Sequence, residues 1–547
     1  MRLHRSRGVP LLVAVSLLVL SGCGGDGPAS EAAGSGEPVT GGTLVYAVNS
    51  APETLDPHVS TQDAAGLYAR PVLDSLVVMD EEGEFHPWLA TSWDISEDGT
   101  VYRFTLREDV TFSDGTPLDA EAVRANLDRI VAPETMSAMA ASFVEPYAAT
   151  TVTGPHTFDI ELSEPHAPLL AALSSAYFGI QSPRSLERGT EEIAREIIGS
   201  GPYVIEEFSP STGITYQRNE DYAWQPATAG LEGAPYLERL EFRVMAEDSV
   251  RFGALTSRQV DAIGNLPPSG VRQAESVDGL WLTELQAPGG PYAYFPNTEE
   301  GVFTDRRVRQ AFRDGIDFRA LVEQLFFGAF APAWGPLSPT TPGYDASLEE
   351  AWGHDPEGAA ALLDEAGWHQ RDGEGYRVRD GQRLTVVWPF VSSGAGELGD
   401  VLAVQVQAEA AELGFEVVFD TGTQGELVEK YNRGDYDLMD VSWARNDPDA
   451  LRNLFATSSI PTPDHFAHNA ARVSDPQVDE WLDQALATTD PRERAALYGE
   501  VQQRLTEEAA VFPVHVSTNV VAGHDHVRDV RWDPQGYPLF HEAWVAS

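Results

Sequence analysis

A solitary cysteine sets the first limit on what this chain can fold into. Cys23 has no second cysteine to pair with, so no intramolecular disulfide can form and the fold must be held by core packing. Cys23 also closes a distinctive stretch: Arg2, Arg5 and Arg7, then the apolar run 11–20, then Ser21 and Gly22. A positive start, a short apolar core and small residues before a cut point have the form of an export signal. The run is too short to persist as a spanning helix. Removing residues 1–22 leaves 525, more than one hydrophobic core usually supports, so two or more lobes are expected.

Leu20-Ser21-Gly22-Cys23 resembles a bacterial lipobox. That resemblance implies a lipoprotein signal peptide over 1–22, cut so that Cys23 begins the mature chain and carries lipid. The alternative is an ordinary secretory signal that happens to end in a cysteine. Several acyl chains on one terminus hold a protein firmly at a bilayer, each buried methylene adding about 0.8 kcal/mol. Residues 24–40 are small and polar, so 23–40 is expected to be the lipidated cysteine with a flexible tether. The expected location is extracytoplasmic, anchored to the cell membrane at the cell surface or in the periplasmic space.

Charge excludes one class of partner. Three of the 36 cationic residues lie in the signal, which leaves 33 against 85 acids and a formal net charge of −52 for the mature chain. Nucleic acid is not a partner for such a surface. The acids are spread along the whole chain, as on a solvated acidic surface, and a saline habitat is the expectation. Lysine occurs once, at Lys430 after Val428-Glu429, so neither a Gly-Lys-Ser/Thr phosphate loop nor a Ser-x-x-Lys nucleophile pair exists.

Local patterns predict the elements. Residues 43–48, 101–106, 157–162, 203–208 and 214–218 read as strands, the 101–106 and 157–162 segments by strict alternation. Asp119 is placed to cap a helix with Val123, Leu127 and Ile130 on one face. Asp355-Pro356, Asp475-Pro476 and Asp490-Pro491 are helix starts, and Gly367 is a stop. Strand 384–388, a helix from about 399 to 413, Gly414 and strand 415–419 form an α/β unit of the kind that builds parallel sheet. The glycines of Gly199-Ser-Gly-Pro-Tyr203 do not make a phosphate loop, because Pro202 removes a donor and no helix follows.

Leu55-Asp56-Pro57, Pro87-Trp-Leu-Ala-Thr-Ser-Trp93, residues 104–115, Gly199-Ser-Gly-Pro-Tyr203, Asp305-Arg-Arg-Val-Arg-Gln-Ala311 with Gly315-Ile-Asp317, and residues 355–368 together resemble the extracellular solute-binding proteins, family 5, the receptors of peptide, nickel and related ABC importers. The resemblance spans essentially the whole mature chain. It implies an α/β, bilobal, periplasmic-binding-protein-like fold with an extra inserted domain in the first lobe. On that template lobe I takes 41–84, 200–296 and 511–547, the inserted domain takes 85–199, and lobe II takes 297–510. A small-molecule ligand, whether peptide, metal chelate or other polar solute, sits between the lobes, and an ABC permease receives it. A monomer without cofactor or enzymatic activity is expected. The rival readings are a surface-anchored hydrolase and a sensory receptor not coupled to transport.

The strongest candidate site is Tyr436 to Asp449, where an alternating strand ends near Trp443 and an Asp447-Pro448 turn follows. Related receptors take ligand contacts from this loop. Trp443 is placed to stack on ligand and Arg445 to grip a carboxylate; the alternative is Trp443 in the core and Arg445 paired with an acid. Peptide-binding relatives resemble Trp-x-x-Asp here, the aspartate holding an ammonium group. This chain has Asn446 at that place and Asp447 one later. Tyr292, Tyr294 and Asn297 at the crossing between lobes, Trp388 at a strand end, Trp334 in a Pro/Gly-rich loop and Tyr177 complete the candidates. His465 with His468, and His524 with His526, lack further ligands nearby and read as surface histidines rather than metal pairs. No Gly-x-Ser-x-Gly elbow or His-Glu-x-x-His helix occurs.

Overall fold

The computed structural model describes residues 37–137, 139–390 and 396–546. The signal, Cys23 and most of the tether lie outside the described residues. Among the described residues no helix is long and apolar enough to cross a membrane.

The first sheet has seven strands in the order Leu280–Gln286, Thr518–His524, Ala262–Ile263, Thr43–Val48, Arg239–Val244, Gly213–Arg218, Tyr203–Ser209. Thr43–Val48 is central and parallel to both neighbours, while the outer pairs are antiparallel. Its side chains alternate: Leu44, Tyr46 and Val48 join a core with Tyr216, Leu240 and Phe242, and Ala47 joins another with Leu255, Ile263 and Ala522. A strand buried on both faces in this way suits the middle of a mixed sheet. At the start of Gly213–Arg218, Gly213 has φ +126 and a Cβ there would lie 1.8 Å from the Phe242 carbonyl oxygen, so only glycine closes this hairpin.

Between Thr43–Val48 and Tyr203–Ser209 the chain leaves this sheet and builds a four-stranded antiparallel one, ordered Ala90–Ile95, Val101–Leu106, Thr157–Leu162, Tyr147–Gly154. The helix Ala120–Val131 belongs to the same core. Asp119 accepts the Ala122 N–H at 2.9 Å, and Val123, Leu127 and Ile130 are buried with Phe104 and Phe158, whose rings stack at 5.3 Å. The loop after the first strand is tied to this insertion. Arg129 pairs with the buried Asp56 at 2.5 Å, and Gln181 donates to the same carboxylate at 3.0 Å.

Two segments continue out of the seven-stranded sheet side by side. Leu280–Gln286 leads into Gly289–Pro296, and Phe512–His515 leads into Thr518–His524. Gly289–Pro296 then lies between Leu438–Ala444 and Phe512–His515 in a second, three-stranded sheet. Around it are the helices of the second lobe. Pro356–Glu365, Pro476–Ala487 and Pro491–Glu507 each begin with a proline, and Asp355, Asp475 and Asp490 accept backbone N–H groups at 2.9 to 3.0 Å. Thr385–Pro389 and Glu416–Asp420 pair in parallel across the helix Gly396–Leu413, which ends at Gly414 with φ +102. The result is a bilobal α/β fold with an inserted domain.

Candidate functional site

The chain crossings and the end of Leu438–Ala444 converge on a cavity of about 710 Å³. Tyr292 enters from the crossing strand and His515 from the returning one, their rings stacked at 4.9 Å and 15°. Phe326, just past the helix Phe318–Leu325, and Phe330 pack on the same imidazole at 4.7 and 5.2 Å. The opposite wall is Trp443 against His468 at 4.1 Å, with Phe466 and Tyr431 beside them. Burial pulls both His515 and His468 down to about 4, so both rings are neutral near pH 7. Asp440 lies in the lining, its Oδ2 accepting the Tyr292 hydroxyl at 3.1 Å and its Oδ1 the Trp388 indole N–H at 3.0 Å. Burial raises this carboxyl above its usual range despite those two donors. Trp443 Nε1 and His515 Nδ1 are buried with no hydrogen-bond partner among the described residues. Such a site, with aromatic walls and a few convergent polar atoms, is built to hold a small organic molecule.

Of the candidates from the sequence, Tyr292 and Trp443 meet at this cavity. Tyr294 and Trp388 are fully buried beneath it, ring to ring at 4.9 Å, and Trp388 reaches the site only through Asp440. Asn297 is fully buried and clamps a loop, donating to the carbonyls of Gly434 and Tyr436. Trp334 packs on Trp352 at 5.6 Å in a separate cavity of about 460 Å³. Tyr177 is buried against Phe143 at 5.8 Å in the insertion. The strand ends at Ala444, and the next three residues turn away from the aromatic cavity to meet the insertion. The Arg445 guanidinium lies 3.8 Å from the Phe143 ring centroid, and it lines a hole of about 30 Å³ with Asn446, Asp447 and Gln535. Asp447 is held by Arg494 through two bonds of 2.5 and 2.8 Å. Neither an ammonium group nor a carboxylate held in the large cavity meets these three residues as lining.

The histidines divide. His465 is exposed, His468 is in the cavity wall, His524 bonds the Leu255 carbonyl and His526 bonds Asp261. Among the described residues no group of three or more His, Cys, Asp and Glu is arranged to hold a metal. Asp440, His468, His515, Phe326 and Phe330 were not singled out from the sequence as site residues. A lone carboxylate inside the alternating strand before Trp443 was the available signal for Asp440; the others come from distant segments.

Residues 84–461 match the family model described as bacterial extracellular solute-binding proteins, family 5 Middle. This chain belongs to the bacterial extracellular solute-binding proteins, family 5. Protein XP55 of Streptomyces lividans is 30% identical over 539 residues, covering 96% of this chain and 92% of that protein. The nickel-binding periplasmic protein of Escherichia coli (strain K12) is 27% identical, covering 90% of this chain and 92% of that one. Among solved structures, NikA from Brucella suis in complex with Fe(III)-EDTA matches with a TM-score of 0.80 at 26% identity, over 92% of this chain and 100% of that one. As a family-5 solute-binding protein the chain has its aromatic cavity beside the crossings that join its lobes.

Proposed function

We propose that this protein is a lipid-anchored receptor that captures a small solute in the Tyr292–Trp443 cavity and delivers it to an ABC permease. The observation that carries the reading is the cavity itself: about 710 Å³, lined by rings from the crossing strands and from the Trp443 strand, beside the places where the chain passes between lobes. Binding energy selects the arrangement in which both sides touch the ligand. No bond is made or broken by the chain. The lobes are assigned as 41–84, 200–296 and 511–547, with 85–199 inserted, against 297–510. In support, the strands of the seven-stranded sheet all fall within the first set. The hairpin of Val77–Met79 with Phe85–Pro87 straddles the junction at residue 84.

Native mass spectrometry of the purified protein is expected to find a co-purified small molecule. Adding that molecule to stripped protein raises Tm and shrinks the radius of gyration; a bound molecule that does neither overturns the receptor reading. Anchoring is tested separately. Cys23→Ser should move the protein from the membrane to the soluble fraction with unchanged affinity, and a variant that stays in the membrane fraction refutes the anchor.

A further inference from the structure

The lining of the cavity bears on the charge of its ligand. Rings from Tyr292, Phe326, Phe330, Tyr431, Trp443 and Phe466 line it together with aliphatic side chains such as Leu427, Val428 and Val441, and both imidazoles are neutral. Among the described residues one acidic side chain lines it, Asp440, which is partly exposed and bonded to Tyr292 and Trp388. Asp400, in the first turns of Gly396–Leu413, adds to the negative potential at Asp440. Among the described lining residues there is no arginine or lysine. The nearby guanidinium, Arg445, is held against Phe143 at 3.8 Å and lines the separate small hole, with the Trp443 ring centroid 5.5 Å away. Aromatic faces attract cations, and a carboxylate brought beside Asp440 meets repulsion with no counter-ion.

We propose that the cavity selects organic cations: solutes with aromatic or bulky apolar surface, a positively charged nitrogen placed near Asp440, and no free carboxylate. This inference rests on the receptor reading and narrows its ligand class. It separates the chain from any ligand anchored by a terminal carboxylate, because the cations near the site are engaged elsewhere, Arg445 on Phe143 of the insertion, Arg472 with Glu299 and Lys430 with Asp420.

The test uses four probes of nearly one shape and different charge: Phe-Phe-amide (+1), acetyl-Phe-Phe-amide (neutral), Phe-Phe (zwitterion) and acetyl-Phe-Phe (−1). Each is titrated by calorimetry at pH 7 into the purified protein stripped of bound solute. Phe-Phe-amide should bind at least tenfold more tightly than its acetylated neutral form, and both free acids more weakly still. Asp440→Asn, whose Oδ1 still accepts the Trp388 N–H and whose Nδ2 can donate to the Tyr292 hydroxyl, should reduce the ratio of Phe-Phe-amide to acetyl-Phe-Phe-amide affinity to less than threefold. Either free acid binding as tightly as Phe-Phe-amide overturns the proposal, and so does binding of none of the four. The wild-type series decides this even if Asp440→Asn does not fold. If the cation binds but causes no compaction in scattering, the ligand class stands and the receptor reading fails. If a co-purified anion causes compaction, the reverse holds.

Discussion

Arg494→Met isolates the energetics of the loop that follows Trp443. Asp447 and Arg494 are each 13% exposed and joined by two hydrogen bonds of 2.5 and 2.8 Å. Arg494 also lies over the Tyr498 ring at 5.1 Å, and Tyr498 donates to Asp449 at 2.7 Å. Removing the guanidinium while keeping its volume leaves a buried carboxylate without its partner, a loss of about 3–5 kcal/mol. For a lobe of about 200 residues that is a fall in Tm of roughly 6–20 °C. Adding Asp447→Leu to the variant should restore most of it, because the pair itself contributes little relative to apolar replacements. Acid gives an independent check. In the wild type, burial alone would raise the Asp447 carboxyl, but Arg494 outweighs it and holds the group below its usual range. A carboxyl depressed in the folded state contributes stability above its unfolded pKa and loses it as pH falls through the folded value. In Arg494→Met the same carboxyl is buried without its counter-ion and takes up a proton readily. The gap between wild type and variant should therefore narrow as pH falls from 7 toward 4. Calorimetric scans across that range measure it. A fall of less than about 1 kcal/mol, or a gap that does not change with pH, refutes the reasoning.

Trp443→Ala should weaken the co-purified solute at least tenfold, about 1.4 kcal/mol, whereas Trp334→Ala, in the separate cavity with Trp352, should leave calorimetric affinity within about twofold. Gly213→Ala forces a methyl to 1.8 Å from the Phe242 carbonyl oxygen at φ +126, and should lower stability by about 3 kcal/mol or prevent folding; an unchanged Tm contradicts this. Burial pushes the Asp74 carboxyl up to about 7 against the donors Ser200, Trp224 and Tyr222. Its contribution is full below the unfolded pKa near 3.8 and is lost as pH rises toward 7, so Asp74→Asn should flatten the fall in Tm over that interval.

Elements with local signals could be read from the chain, and the geometry of the site could not. Asp119, Asp355, Asp475 and Asp490 cap helices because a carboxylate needs only the next turn of backbone to find its partners. The 101–106 and 157–162 strands alternate because one face meets a core. Tyr292 and Tyr294, by contrast, differ by two residues and should share a face of a regular strand. One lines the cavity and the other lies beneath it, and the pairing register shifts around Gly290 to Ala293 on both sides of the strand. A bulge re-aims side chains in a way that residue types alone do not announce. His515, Phe326 and Phe330 stack only because two segments far apart in sequence cross there. The strand before Trp443 lines the cavity, but pairing ends at Ala444 and Arg445, Asn446 and Asp447 make another contact.

That contact joins the insertion to the strand that lines the cavity. Arg445 is bracketed by Phe143 of the insertion at 3.8 Å and Trp443 of the cavity wall at 5.5 Å, and its Nε is buried with no partner among the described residues. Burial pulls its pKa down to about 10, with Asp449 and Asp447 only partly offsetting the loss of water. Among the described residues it makes no ion pair. Desolvation of the guanidinium opposes the favourable ring contacts here. Arg445 also donates to the Ser142 hydroxyl at 3.4 Å, and nearby the Ala167 N–H donates to the Leu486 carbonyl at 2.9 Å. Trp443 is shared between the cavity wall and the Arg445–Phe143 contact, so a change at its indole reaches both.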